Sequence, residues 1–188
     1  MKKDKIIIGL VGMPGSGKSL VVETAQKQGY AVVTMGDVVR EETLKAGLAL
    51  NPTNIGKIML ELRKKNGNGV VAQKSISKIE GQKGNKILID GLRSLREVEV
   101  FKEHFEKFSL IAIHASPQTR FNRLLRRGRS DDPKDWETFM ERDIRELSVG
   151  LGNAIATSEY LVVNEGKPVE AKTKIQHVFL RVEKKWMK

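Results

Sequence analysis

The chain has 188 residues, a formal net charge of +11 and no cysteine. This length fits one domain with its own core, and 39% hydrophobic with 30% charged residues is typical of a soluble globular protein. No stretch approaches the roughly 20 apolar residues of a membrane span, and the lack of cysteine excludes disulfides and thiolate sites. We therefore expect a single cytoplasmic domain over residues 1–188, with no membrane contact.

Short β-branched runs alternate with segments of helical periodicity, which predicts an α/β fold with a parallel sheet. The predicted strands cover residues 6–11, 31–35, 86–90, 110–115 and 160–163. Between the second and third of these strands the pattern predicts successive helices, which we interpret as an insertion at about 37–82. The expected fold is a three-layer α/β domain built on a five-stranded parallel sheet.

Glycines and a lysine follow the first predicted strand at a diagnostic spacing. The segment Gly12-Met13-Pro14-Gly15-Ser16-Gly17-Lys18-Ser19 matches G-x-x-x-x-G-K-[ST] at every fixed position. In such a loop the backbone N–H groups surround phosphates, Lys18 would reach the β- and γ-phosphates, and the Ser19 hydroxyl would ligate Mg²⁺. The segment therefore predicts a nucleoside triphosphate site, for which ATP with Mg²⁺ is our interpretation.

The third predicted strand ends in a carboxylate. Asp90 follows the apolar run Ile87-Leu88-Ile89, as in a Walker B element, and would hold Mg²⁺ directly or through water. The alternative is a turn residue before Gly91. Combined with the phosphate loop, the pattern favours the metal role.

Arginines are concentrated between residues 120 and 129. Arginine suits the charge that spreads over phosphoryl oxygens in a transition state. Arg123 and Arg127 share one helical face, and we expect them to act with Lys18 as catalytic residues. The alternative is an exposed basic face paired with Asp131 and Asp132. The members of the cluster are Arg120, Arg123, Arg126, Arg127 and Arg129.

Two further arginines follow the ends of predicted strands, where open parallel sheets bind ligands. Arg40 and Arg93 are therefore candidate acceptor-binding residues. Asp37 is the candidate base if the acceptor is a hydroxyl compound, although an N-cap role fits it equally well. Arg63 is expected at the surface.

Taken together, these residues resemble the nucleoside monophosphate kinase family over nearly the whole chain. The matching segments are Gly12 to Ser19, Met35-Gly36-Asp37-Val38-Val39-Arg40, Asp90-Gly91-Leu92-Arg93 and Arg142-Asp143. The chain is most similar to an archaeal, largely uncharacterised group described as adenylate-kinase-related or dephospho-CoA-kinase-like. It differs from adenylate kinases at Leu92, where those enzymes carry phenylalanine and then proline.

The resemblance implies a P-loop kinase fold, an acceptor-binding role for the helical insertion and a short mobile lid at about 120–133. It also implies phosphoryl transfer from ATP to a small nucleotide-like acceptor, either a nucleoside monophosphate or dephospho-CoA. The alternative is an ATP-binding regulatory or RNA-associated NTPase, since the net charge of +11 suits nucleic acid as well as anionic small ligands. Only about 5% aromatic residues argues against base stacking. The sequence makes no prediction of the oligomeric state.

Overall fold

The computed structural model describes residues 4–129 and 132–187, which form five strands and nine α-helices. The strands are β1 (Ile6–Val11), β2 (Ala31–Thr34), β3 (Lys86–Asp90), β4 (Phe108–His114) and β5 (Tyr160–Val163). The helices are α1 (Lys18–Lys27), α2 (Met35–Lys45), α3 (Pro52–Asn66), α4 (Val70–Glu80), α5 (Leu95–His104), α6 (Pro117–Arg127), α7 (Trp136–Ser148), α8 (Leu151–Ala156) and α9 (Pro168–Trp186). Ser130 and Asp131, which belong to the predicted lid, lie outside the described residues.

All neighbouring strands of the sheet are parallel, in the order β2-β3-β1-β4-β5. The predicted α/β fold with a five-stranded parallel sheet is confirmed. β1 is central, and its Leu10 pairs with Asp90 on one side and with Ile111 on the other. The chain reaches β3 and β4 on opposite sides of β1, and this switch point opens a crevice at the carboxyl ends of the strands.

Each face of the sheet has its own apolar core. Ile7 and Val11 of β1 point to the core shared with α2, α4, α5 and α8, whereas Ile8 and Leu10 point to the core shared with α1 and α9. This alternation follows from the two-residue period of a strand. Gly9 interrupts it because a Cβ at this position would lie 2.7 Å from the Phe108 ring.

The observed bounds of the strands agree closely with those predicted from the sequence. β1, β3 and β5 have the predicted bounds. β2 is one residue shorter than predicted because Met35 already belongs to α2, and β4 begins two residues earlier, at Phe108. The Ser94 side chain caps α5 by accepting a hydrogen bond from the Glu97 N–H at 3.2 Å.

The prediction that Arg63 lies at the surface is wrong. Arg63 is buried, and its Nη2 donates to Glu97 Oε1 at 2.8 Å. The sequence pattern of α3 could not reveal this burial, because the residue that pairs with Arg63 is 34 residues away on α5. No helix in residues 4–129 and 132–187 combines the length and apolar character that crossing a bilayer requires.

Candidate functional site

Residues 12–17 form a loop between β1 and α1, which we call the phosphate loop. Gly17 is the N-cap of α1 with φ 104°, a left-handed conformation that favours glycine. A Cβ on Gly17 would lie 2.2 Å from Asn164 Nδ2, and a Cβ on Gly12 would lie 2.6 Å from the Ile113 carbonyl oxygen. Gly17 is therefore required both by its backbone conformation and by close packing, and Gly12 by close packing against β4.

The Lys18 ammonium lies over the phosphate loop. Its Nζ donates to the Gly12 carbonyl oxygen at 2.6 Å. Burial lowers the pKa of Lys18 to about 8, and the nearby Asp90 carboxylate opposes this shift. A partly buried cation held by a carbonyl group gains interaction energy when an anion replaces that partner, so the position of Lys18 suits an anionic ligand.

Asp90 ends β3 and faces the same crevice. Its Oδ1 is buried and has no hydrogen-bond partner among the described residues. Burial raises the pKa of the Asp90 carboxyl, against the lowering effect of Lys18 and Arg93. Ser16 Oγ in the phosphate loop is also buried without a partner in the described part of the chain. Because Asp90 lines the cleft, its orphaned oxygen indicates a site that a polar ligand completes.

The residues at this crevice fit a magnesium ion that arrives with a nucleotide. Ser19 and Asp90 both line the cleft and offer oxygen donors, which Mg²⁺ prefers. Within residues 4–129 and 132–187 no group of three or more His, Cys, Asp or Glu side chains could hold a metal. This donor set suits Mg²⁺ with phosphate and water ligands rather than a metal bound by protein alone.

A cleft of about 600 Å³ surrounds these groups. Its lining brings together Lys18, Ser19 and Asp90 with the predicted arginines Arg93, Arg123, Arg127 and Arg129 and with Arg142 of the family-like segment, and it adds Glu146. Asp37 and Arg40 are not among the described residues that line it. Arg40 Nη1 instead donates to Asp37 Oδ1 at 2.5 Å, and both side chains are half exposed.

Arg123 reaches the rear of the phosphate loop. Its Nη2 donates to the Asn164 carbonyl oxygen at 2.9 Å, while Asn164 Nδ2 donates to the Ser16 carbonyl oxygen at 2.8 Å. Asn164 thus joins the chain after β5 to both α6 and the phosphate loop. The sequence did not predict this role for Asn164, because a single asparagine after a strand forms no recognisable motif.

The other two central arginines of α6 are held by carboxylates. Arg127 Nε donates to Asp132 Oδ2 at 2.8 Å. Arg120 is buried and forms a bidentate salt bridge with Asp143, in which Nη1 donates to Oδ1 at 2.8 Å and Nη2 donates to Oδ2. Its Nε donates to the Ala115 carbonyl oxygen at 3.1 Å. Arg120 also stacks over the Phe139 ring at 5.0 Å, so it fastens α6 to α7.

Helix α7 also lines the cleft, through Arg142 and Glu146. We call these two residues, together with Arg93 from the segment before α5, the α7 wall. Arg93 Nη1 donates to Glu146 Oε1 at 2.6 Å. Arg142 lies 3.7 Å from Asp132 Oδ1. The sequence analysis did not single out Glu146, although its spacing from Arg142 places the two on one helical face.

Comparison with known proteins places this site in a family. The family model AAA_17, described as an AAA domain, matches residues 11–140. A UPF0200 protein of Methanococcus maripaludis is 44% identical over 178 residues, covering 94% of this chain and 97% of that protein. A UPF0200 protein of Thermococcus onnurineus is 43% identical over 181 residues, with coverages of 94% and 98%.

Solved structures at low identity share the fold. Shikimate kinase from Bacteroides thetaiotaomicron has a TM-score of 0.66 at 15% identity, covering 95% of this chain and 98% of that one. A gluconokinase from Sinorhizobium meliloti has a TM-score of 0.59 at 12% identity, with coverages of 97% and 96%. The chain has a P-loop kinase fold, and it belongs to the UPF0200 family and, through residues 11–140, to the AAA domain family AAA_17.

Proposed function

We propose that this protein is an ATP- and magnesium-dependent phosphotransferase that acts on a small nucleotide or nucleotide-like acceptor. One observation carries the proposal: a partly buried lysine that contacts a phosphate loop shares a cleft with Asp90, whose buried Oδ1 has no partner within the described residues. The likeness in fold to proteins named shikimate kinase and gluconokinase supports phosphoryl transfer as the reaction class.

The proposed roles follow the positions of the side chains. Lys18 and the loop N–H groups would bind the β- and γ-phosphates, and Ser19 and Asp90 would hold Mg²⁺, which when bound neutralises charge on the phosphate oxygens. Arg123 is already fixed beside the phosphate loop. Arg127 would exchange Asp132 for the transferring group as the lid region closes over the cleft and excludes water.

The acceptor would occupy the side of the cleft that Arg93 lines. A phosphate acceptor such as AMP or CMP carries its own nucleophilic oxygen, so positioning alone suffices. A hydroxyl acceptor such as dephospho-CoA needs a carboxylate that takes its proton. Asp37 and Arg40 would have to approach from the side of α2, where they now pair with each other.

The test is ADP production from Mg-ATP with AMP, CMP, UMP, GMP or dephospho-CoA. One acceptor should stimulate the wild-type protein, and Lys18→Ala should reduce the stimulated rate by at least about 100-fold because it removes a charge from the phosphate site. Lys64→Ala, an exposed change on α3, is the matched control and should behave as wild type. ATP binding with no stimulated turnover, together with salt-sensitive RNA association, would instead support the RNA-associated NTPase.

A further inference from the structure

The Glu146 carboxylate lines the cleft next to Arg93, the candidate acceptor-binding residue. The Glu146 side chain is only 12% exposed and lines the cleft with Asp90 and Lys18. Its charge acts on Lys18, whose pKa it raises against the effect of burial. Glu146 therefore lies within electrostatic reach of the group that would bind the transferring phosphate.

Glu146 is held in place by a chain of contacts that ends in the core. Arg93 fixes Glu146 through the 2.6 Å bond from Nη1. The backbone N–H of Arg93 donates to Glu97 Oε2 at 2.7 Å, and the other oxygen of Glu97 accepts from Arg63. Glu97 is fully buried. Glu97 thus fixes the backbone at Arg93, and the Arg93 side chain orients the Glu146 carboxylate.

The charge balance around Arg93 disfavours a phosphate group there. Arg93 is already compensated by Glu146. A phosphomonoester dianion near Arg93 would meet the Glu146 carboxylate, and like charges at short range repel each other strongly in a partly desolvated site. An uncharged hydroxyl group meets no such repulsion and can donate its proton to Glu146 as a hydrogen bond.

The carboxylate that the sequence suggested as a base has a different environment. Asp37 is 56% exposed, pairs with Arg40 and is not among the described residues that line the cleft. Glu146 lines the same cleft as Lys18 and Asp90. Geometry decides first between candidate bases, and it selects Glu146.

We propose that Glu146 is the general base of the transfer and that the acceptor reacts through a hydroxyl group, not through a phosphate. This inference rests on the proposed function. The acceptor oxygen forms a bond to the γ-phosphorus, and the bond from that phosphorus to the bridging oxygen of ATP breaks. ADP leaves with the bonding pair, and the hydroxyl proton passes to a Glu146 carboxylate oxygen. Arg63 and Glu97 are positioning residues, since they act through Arg93.

The experiment identifies the bond that is made. The full chain is incubated with Mg-ATP and one of two sets of acceptors: adenosine, cytidine, uridine, guanosine and dephospho-CoA, or AMP, CMP, UMP and GMP. ³¹P NMR of the product distinguishes a phosphoester from a phosphoanhydride. We expect a phosphoester with at least one acceptor and no phosphoanhydride with any of them.

Variants then test the residue. Glu146→Gln keeps an acceptor for Arg93 but cannot take a proton, so kcat should fall by about 100- to 1,000-fold with KM changed less than about threefold. Glu141→Gln makes the same change at an exposed position of α7 and should retain wild-type kcat. Unchanged ATP binding by Glu146→Gln would show that the variant is folded.

Three results overturn the inference. A phosphoanhydride product would overturn it while leaving the proposed phosphotransferase intact. So would a phosphoester made at near-normal kcat by Glu146→Gln, most clearly if Asp37→Asn is the variant that loses turnover. Absence of any phosphorylated product with either set of acceptors, while ATP still binds, would overturn the inference and the proposed function together.

Discussion

The phosphate loop and the α7 wall line the same cleft but differ in how their polar groups are paired. The phosphate loop presents backbone groups, and buried polar atoms of Ser16 and Asp90 have no partner within the described residues. In the α7 wall, arginines are already paired with carboxylates, as Arg93 is with Glu146. The first region is therefore incomplete until a ligand arrives, whereas the second is stable by itself and orients side chains. Removing a charge that faces the cleft should therefore cost ligand binding or turnover, whereas removing one partner of the buried Arg120–Asp143 ion pair, which joins α6 to α7, should cost stability.

The largest effect is expected where α6 is fastened to α7. Arg120→Met leaves Asp143 buried without its cation, which should lower the free energy of unfolding by about 3–5 kcal/mol. Urea denaturation measures this loss. The double variant Arg120→Met/Asp143→Leu should recover most of it, and Arg126→Met, an exposed change on the same helix, should stay within about 0.5 kcal/mol of wild type. A loss below about 1 kcal/mol for the single variant would contradict a structural role for this pair.

Asp90→Asn should lower turnover without lowering the stability of the ligand-free protein. Turnover should fall by about 100-fold or more because the proposed magnesium ligand loses its charge, and the Mg²⁺ concentration for half-maximal activity should rise. The ligand-free protein should unfold at the same or higher urea concentration, since burial disfavours the ionised Asp90 carboxylate and raises its pKa. Asp4→Asn, an exposed change, serves as the control. A strongly destabilised Asp90→Asn protein would show that Asp90 is structural instead.

Gly17→Ala tests the packing of the phosphate loop. A left-handed alanine costs about 1–2 kcal/mol, and the added Cβ would also push Asn164 away from the Ser16 carbonyl oxygen. Gly29→Ala is the matched control, because Gly29 has φ 79° but a Cβ added there would meet no atom of the described residues within 4 Å. Urea denaturation should show backbone strain in both variants and a larger loss in Gly17→Ala, where the Cβ also displaces Asn164, and equilibrium titration should show weakened Mg-ATP binding only in Gly17→Ala. Equal ATP affinity in the two would refute the packing argument.

The smallest effect is a pH dependence of nucleotide binding. Lys18 has a pKa of about 8 in the free protein, and bound phosphate favours its protonated form. Binding above pH 8 therefore takes up a proton, so Mg-ATP affinity should fall with rising pH by at most about tenfold per pH unit. Lys18→Arg stays charged throughout and should give a flat profile. A wild-type affinity that does not change between about pH 7.5 and 9.5, measured by isothermal titration, would contradict the depressed pKa of Lys18.

The same contrast explains how far the sequence could predict the site. Residues 12–19 are contiguous, and their glycines are required by the local backbone and packing, so one segment reveals the donor side of the cleft. Glu146 became a candidate only when α7 was seen to pack beside Arg93, 53 residues away. Arg63 was mistaken for a surface residue for the same reason, since helical periodicity does not identify a partner on another element. β1 and β3 were predictable because central strands buried on both faces require continuous apolar runs.

The central position of β1 also bears on how the chain folds during synthesis. β1 leaves the ribosome early, but its neighbours β3 and β4 begin only at Lys86 and Phe108. Until those segments emerge, an apolar strand with high β-propensity has no native partner and is open to aggregation. We therefore expect nascent chains that end before β4 to need chaperones to stay soluble. This need should end when β4 has been synthesised, not when the phosphate loop is complete.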